Sequence, residues 1–254
     1  MLAAVYKVKS PKEIIVMRML SAILGCVLSG SVAANIVTTE NLIENSTFEP
    51  AVGADAYEGA RDDWSVFEGE FRFPDRTGEI ANYDGQFYAA WGGRTANAYM
   101  EQFGDLQSKG INVDLIDTGL VTMDMSMYIS SSYNDRDRSR MYVTFFDDNG
   151  AQVGDINQLG YYDLSTWGYR ELVDVAVPEL TREFRVVIHN DRLDGTGNST
   201  GVALPVMTFS LEDTEESRQA LNTFGYLQQS INDVPVGVLG GLSLGMLLMA
   251  RRKR

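Results

Sequence analysis

Val-Thr-Met-Asp-Met-Ser-Met-Tyr-Ile, residues 121–129, is the stretch that decides the fold class. Apolar side chains at 121, 123, 125, 127 and 129 alternate with Thr122, Asp124, Ser126 and Tyr128. A period of two sends alternate side chains to opposite sides of a strand. One side of this strand would therefore cover a core while the other meets solvent, as in an antiparallel sheet with one buried face.

The same alternation recurs along the chain and predicts an all-β fold. It is clear in Met141–Phe146 and Phe184–Ile188 and less strict in Leu172–Val177. Asp147-Asp-Asn-Gly150 is typical of a turn and would join the first of these strands to another near Gln152–Ile156. Many short strands separated by turns favour an antiparallel β-sandwich.

The last 21 residues, Val234 to Arg254, have the composition of a membrane segment. An uncharged apolar run covers Val236 to Ala250, and the chain then continues Arg251, Arg252, Lys253 and Arg254. As a helix the run would measure ~22 Å, which is shorter than the ~30 Å hydrocarbon core. With Val234 and Pro235 included and the arginines snorkelling, it can span a thin membrane and leave the basic residues cytoplasmic.

These C-terminal residues resemble the PEP-CTERM class of sorting signals, in which a proline motif precedes a membrane helix and a basic cluster. Val234-Pro235 stands here for the usual Pro-Glu-Pro, as in a Val-Pro variant. The resemblance implies a transpeptidase or protease of the exosortase type as partner, transient anchoring in the inner membrane and delivery to the cell surface. Gly240-Gly241 is also similar to tails cut by rhomboid-type sortases, and a plain anchor or a buried helix are further alternatives.

The N-terminal residues 1–34 predict a signal peptide. Arg18 precedes an apolar stretch from Met19 to Leu28, and small residues up to Ala34 offer a cleavage site. The first 16 residues are either an extended basic region or the product of an upstream start codon chosen in error. Cys26 could alternatively be a lipoprotein cysteine. Cleavage after residue 34 would leave a mature chain without cysteine and therefore without disulfides.

The sequence thus divides into residues 1–34, a β-sandwich at 35–212, a spacer at 213–233 and the sorting segment at 234–254. In the spacer, Asp213 and Glu216 resemble a capping box that would open a short amphipathic helix, the alternative being a disordered stalk. The net charge is −14 at pH 7 although both ends are basic. So acidic a body would repel nucleic acid.

The order of the segments between Asn41 and Leu211 resembles the galactose-binding-like jelly roll of bacterial carbohydrate-binding modules. The matching pieces are Asn41–Glu49, Trp64, Ala98–Gln102, Trp167, Leu172–Pro178, Phe184–His189 and Val206–Leu211. The family commonly holds a structural calcium ion, and this resemblance implies Glu49 as a ligand. Met207-Thr208 replaces the acidic pair of the last strand, and Ser46 replaces a glycine, so Glu49 is the one ligand that can be named.

A sugar site in such a sandwich needs aromatic faces flanked by polar groups. Asp124, Tyr128, Arg140 and Tyr142 are predicted to face solvent, and Tyr88 and Trp91 lie in a further aromatic stretch whose face the pattern leaves open. These six are the candidate ligand-binding residues. Trp64 and Trp167 are expected to pack in the core.

Catalysis finds little support in the sequence. His189 is the one histidine, no His/Cys cluster could hold zinc or iron, and neither a nucleophile elbow nor a phosphate loop occurs. The sequence therefore favours a non-catalytic exported protein that binds carbohydrate or extracellular matrix. The alternatives are a structural or adhesive matrix protein without a sugar site and a polysaccharide-active enzyme.

Overall fold

The computed structural model describes residues 37–80, 85–131, 136–162 and 164–229. The predicted signal peptide (1–34) and sorting segment (234–254) lie outside these residues. No helix in the described part of the chain is long and apolar enough to cross a membrane.

The described residues form two antiparallel sheets. Their strands are β1 (Val37–Thr38), β2 (Ser65–Glu68), β3 (Phe71–Arg72), β4 (Ala90–Gly92), β5 (Asn97–Asp105), β6 (Val121–Ser131), β7 (Arg138–Phe146), β8 (Gln152–Tyr162), β9 (Gly168–Ala176), β10 (Glu183–Asp191) and β11 (Thr200–Leu211). The first sheet has the order β3-β4-β11-β6-β9, with β1 also pairing with β11. The second sheet has the order β2-β5-β10-β7-β8.

The strand pairing is nested. β4 pairs with β11 and β6 with β9 in the first sheet, while β5 pairs with β10 and β7 with β8 in the second. A ribbon of antiparallel pairs that alternates between two sheets in this way is a jelly roll. The predicted antiparallel β-sandwich is therefore confirmed in the described residues.

β6 provides the centre of the core, as its alternation predicts. Val121, Met123, Met125, Met127 and Ile129 are at most 1% exposed, whereas the four side chains between them are partly exposed. The second sheet faces them with a similar apolar set: Met100, Met141, Val143, Phe145, Phe184, Val186 and Ile188. Methionine side chains adapt to irregular gaps, which suits a core between two twisted sheets.

The predicted turn between β7 and β8 is also confirmed. The Asp147 carboxylate accepts hydrogen bonds from the backbone amides of Asn149 (2.8 Å) and Ala151 (2.9 Å). Gly150 has a φ of +75°, which a glycine adopts without strain. These backbone contacts lower the pKa of Asp147.

Amide side chains fasten the opening segment at 41–49 to the sandwich. Asn41 donates to the carbonyl of Pro205 and accepts from the amide of Met207. Gln102 donates to the carbonyls of Glu44 and Asp63 and accepts from the amide of Glu44. Each side-chain amide thereby satisfies partly buried backbone groups.

Two helices lie beside the sandwich, α1 (Val113–Ile116) and α2 (Glu215–Phe224). The short amphipathic helix predicted in the spacer is present, but the predicted cap at Asp213 is wrong by one residue. The Thr214 hydroxyl accepts from the amide of Ser217 at 3.1 Å, while the Asp213 carboxylate pairs with Arg218 instead. The buried Ala220 packs α2 against the main core.

Candidate functional site

A cavity of about 470 Å³ opens on the outer side of the first sheet, where β6 ends. It is lined by Arg76, Glu79, Ile80, Trp91, Tyr128, Ser130, Ser165, Thr166 and Trp167. Ile80, Phe87, Ala89 and Ala203 form a small apolar cluster beneath it, separate from the main core. This outer surface of the first sheet is called the pocket face below.

The wall of the pocket depends on one glycine. Gly201 pairs with Trp91 on one side and with Ser130 on the other, so the three residues form a row across β4, β11 and β6. A Cβ atom at Gly201 would stand 2.6 Å from Cε2 of Trp91. The missing side chain therefore lets the indole lie against the backbone of β11.

Four side chains close a ring around the mouth of the pocket. Arg76 places its guanidinium 4.7 Å from the centroid of the Trp91 ring and donates to both carboxylate oxygens of Glu79 at 3.0 Å. The indole nitrogen of Trp167 donates to Glu79 at 3.3 Å. Trp167 meets Trp91 edge to face, with centroids 5.9 Å apart.

The next row of the sheet adds two tyrosine side chains and, beneath the pocket, the small side chain of Ala203. Ala203, Tyr128 and Tyr169 lie side by side on β11, β6 and β9. The rings of Tyr128 and Tyr169 are 5.3 Å apart, and Tyr169 is half exposed. The pocket therefore combines aromatic faces with carboxylate, guanidinium and hydroxyl groups, the mixture that a ligand with many hydroxyl groups requires.

A buried polar network supports the pocket from behind. Ser139 on β7 donates to the side-chain oxygen of Asn190 on β10 at 2.7 Å and also contacts the Thr200 hydroxyl at 2.7 Å. Thr200 donates in turn to the carbonyl of Ser130 at 3.2 Å. These groups are buried and satisfied, so they tie the second sheet to the Gly201 row.

The outer surface of the second sheet, called the arginine face below, carries a different arrangement. His189 on β10 is 4% exposed, because the ring of Tyr99 stacks on it at 3.9 Å. Arg140 donates from Nε to Nδ1 of His189 at 3.2 Å, and its guanidinium lies 5.1 Å from the Tyr142 ring. Burial, and then the neighbouring Arg140 charge, lower the pKa of His189 from 6.5 to about 4.

A second cation on the arginine face is held in the same manner. Arg185 forms an ion pair with Glu101 and lies 5.2 Å from the ring of Phe67 and 5.7 Å from that of Phe103. Phe103 is 60% exposed, which makes it more open than Phe67 at 46%. Burial raises the pKa values of both Tyr99 and Tyr142.

The structure separates the six candidate residues. Trp91 and Tyr128 both line the pocket, whereas Arg140 and Tyr142 lie on the opposite outer surface, so one small ligand cannot touch all four. Asp124 shares a strand with Tyr128 but lies further along it, where its carboxylate accepts from the amide of Asp174 at 2.8 Å.

Tyr88 lies apart from these positions. It packs against the main core, and the guanidinium of Arg61 stands 5.4 Å from its ring. Arg61 itself is buried, lies 3.9 Å from the Phe73 ring and donates to backbone carbonyls of residues 56 and 59. It borders a second cavity of about 610 Å³ beside β2 and β3. Tyr88 and Arg61 therefore hold the loop at 55–61 in place.

Glu49, the one calcium ligand implied by the sequence, has an exposed side chain next to Asn45. Asn45 accepts from the Glu49 amide at 2.7 Å and donates to its carbonyl at 3.0 Å. Within the described ranges, no three His, Cys, Asp or Glu side chains come together in a way that could hold a metal ion. The calcium site stays a prediction.

Sequence reasoning misses three of the four side chains that form the ring at the pocket mouth, namely Arg76, Glu79 and Trp167. Trp167 was expected in the main core, yet it lines the outer cavity, while Trp64 is buried at 7% exposure as expected. Arg76 and Glu79 belong to a turn between β3 and β4, and no alternation marks them. The one usable signal is Trp167 itself, because it stands in a loop rather than at an inward position of a strand.

No protein-family model and no curated protein matches this chain. Among solved structures it is similar to the enzymatically active domain of tailspike protein 4 of bacteriophage CBA120, at 11% identity and a TM-score of 0.45. That match covers 66% of this chain and 21% of the tailspike chain, so this chain spans about a fifth of it.

Two further structures are similar along their whole length. One is the carbohydrate-binding module TmCBM61 in complex with beta-1,4-galactotriose, at 12% identity over 66% of this chain and 98% of the module, with a TM-score of 0.42. The other is a cyclase from Fischerella sp. TAU, at 10% identity over 70% of this chain and 100% of the cyclase, with a TM-score of 0.46. The similar structures thus include both a carbohydrate-binding module and enzymes. TM-scores below 0.5 do not support either function for this chain.

Proposed function

We propose that this protein binds carbohydrate without catalysing a reaction on it, and that the sugar occupies the pocket face. The observation that carries the proposal is the ring formed by Trp91, Arg76, Glu79 and Trp167 around a cavity of about 470 Å³. The indole of Trp167 can cover the apolar side of a pyranose, while Arg76 and Glu79 supply a donor and an acceptor for its hydroxyl groups.

We further propose that the chain is exported and sorted to the cell surface. The signal peptide at 1–34 and the segment at 234–254 are the basis, with a transpeptidase or protease of the exosortase type as the processing partner. Intact mass of the native protein from fractionated cells tests this. A surface protein that begins near Ala34 or Asn35 and ends near Val234 is expected. A chain that retains Arg254 in the inner membrane would reduce the tail to a simple anchor.

Glycan-array screening of the chain, followed by titration of the strongest hit, tests the sugar site. Trp167→Ala removes the stacking surface and is expected to weaken binding at least ~30-fold, as hot-spot aromatic residues do. Tyr142→Ala is the matched control, because it removes an aromatic side chain from the opposite face. An array without hits, or equal losses in both variants, would contradict the proposed site, and near-UV circular dichroism checks that both variants fold.

A structural or adhesive role is the second candidate, and the arginine face favours it. Phe67 and Phe103 are exposed there on either side of Arg185, the kind of aromatic and arginine surface that protein contacts use. This role predicts an array without hits together with self-association that requires calcium. Sedimentation with calcium and with a chelator distinguishes it from sugar binding.

A further inference from the structure

Both ends of the described chain lie at one end of the sandwich. Val37 pairs with Leu211, and Leu211 pairs with Val121, so the beginning of β1, the end of β11 and the beginning of β6 form one row. The amide of Glu40 donates to the side chain of Gln228 at 2.7 Å. The chain therefore enters and leaves the sandwich side by side.

The residues after α2 are fixed to that same end and form what we call the strap, residues 225–229. The backbone amides of Asn112 and Gln229 donate to the carbonyls of Leu227 and Gly110 at 3.0 Å and 2.9 Å. The Asn112 side chain donates to the carbonyl of Phe224 at 2.8 Å, and Leu227 is buried. Residues 225–229 are thus fixed to this end of the sandwich.

The pocket lies at the opposite end. Ser130, which lines it, stands nine residues along β6 from Val121. A strand rises ~3.3 Å per residue, so Ser130 lies about 30 Å from Val121, which is in the row where β1 begins and β11 ends. The β9 strand runs antiparallel to β6 and confirms the order, because Trp167 precedes its first residue while Val177, past its last, hydrogen bonds to Val121.

We propose that the strap end faces a lipid bilayer that holds the segment 234–254, and that the sandwich thereby presents the pocket away from the membrane. The presentation role rests on the proposed sugar binding, and the orientation rests on the proposed membrane segment and applies while that segment is still attached. The partner is the bilayer core for the apolar run 236–250, with the four basic residues beyond it. The six residues between Gln229 and Val236 reach at most about 25 Å, which keeps the strap end near the surface.

Charge supports an upright arrangement. The chain carries −14 overall, although four of its basic residues belong to the tail. An acidic body is repelled by anionic headgroups and does not lie flat on them.

Energy transfer to acceptor-labelled lipids in phosphatidylcholine vesicles containing phosphatidylserine tests the orientation in the full chain. In a Cys26→Ser background, a donor dye is attached through Ser165→Cys at the pocket end or through Glu179→Cys at the strap end, both at exposed positions. Transfer from the strap end is expected to be about twofold higher, since a separation of about 30 Å is large on the scale of such measurements. Equal transfer from both ends, or higher transfer from the pocket end, would overturn the proposal.

Two variants test the contributions of the strap and of the apolar run 236–250 separately. Gly110 has a φ of +73°, and a Cβ there would collide with the carbonyl oxygen of Gln229, so Gly110→Ala should release the strap and bring the two transfer values together. Gly150→Ala is the control, with a φ of +75° but open space around it. Leu247→Arg places a charge in the apolar run and should detach the chain from vesicles. Retained attachment in Leu247→Arg overturns the proposal, whereas loss of glycan binding in Trp167→Ala with unchanged transfer leaves it standing.

Discussion

The two outer surfaces of the sandwich differ in how their side chains are engaged. On the arginine face, Arg140 is bound to His189 and stacked near Tyr142, while Arg185 is paired with Glu101 between two phenylalanines. On the pocket face, Arg76 is likewise paired with Glu79 beside Trp91, but these groups surround an open volume. Polar groups that satisfy one another rigidify a surface, and where they also border a cavity their remaining hydrogen-bonding capacity can meet a ligand. Aromatic content alone therefore does not identify a binding surface.

Protonation of His189 on the arginine face is expected to have the largest effect on the free energy of unfolding. Its folded-state pKa is about 4, below the unfolded value of 6.5. Between these values the unfolded chain binds a proton that the folded chain does not. Stability should therefore fall as the pH drops from 6.5 to 4, by at most about 3 kcal/mol, and change no further from this source below that range.

Urea unfolding of the parent chain and of His189→Gln at pH 7 and pH 4.5 measures this effect. Carboxylates also titrate in that range, so the difference between the two proteins is the quantity to compare. The parent should lose more stability than the variant on acidification. Equal losses would show that His189 takes up its proton in the folded state and that Arg140 and Tyr99 do not exclude it.

Substitution of Gly201 should disrupt the packing of the pocket face. Gly201→Ala places a methyl group 2.6 Å from the Trp91 indole in a closely packed row, and relief of the overlap should cost about 1–3 kcal/mol. It should also displace Trp91 and weaken glycan binding. Gly160→Ala on β8 is the matched control, because nothing lies within 4 Å of its Cβ position. The free energies of unfolding and near-UV spectra of the two variants test this prediction. Equal stability and identical spectra would contradict the role given to Gly201 in the pocket wall.

Sequence pattern predicts the fold of this protein better than its site. The alternation at 121–129 is enforced by burial of one side of β6, so it can be read directly from the residues. The pocket instead depends on loops that fold over the outer face and bring Arg76 and Glu79 to Trp167, which is 88 residues away from Glu79. No local pattern encodes such a contact. The stacking of Tyr99 on His189 likewise follows from the register of β5 and β10, which alternation does not specify.

Loss of the ion pair between Arg185 and Glu101 on the arginine face should have a smaller effect on stability. Glu101→Gln removes the carboxylate that holds Arg185, and because both side chains are only partly exposed the loss should be about 0.5–1 kcal/mol and should shrink in high salt. Glu58→Gln, which breaks the more exposed pair with Arg72, should change stability by less. Unfolding at low and high salt compares the two variants. A larger loss of stability in Glu58→Gln than in Glu101→Gln would contradict this prediction.

The smallest effect concerns Phe103, and it separates engaged from available aromatic side chains. At 60% exposure its removal in Phe103→Ser should change the free energy of unfolding by no more than about 0.5 kcal/mol. Glycan binding should not change either, because the side chain lies on the face opposite the pocket. If Phe103→Ser instead weakens sugar binding as strongly as Trp167→Ala, the ligand lies across Phe67, Arg185 and Phe103, and the roles assigned to the two faces are reversed.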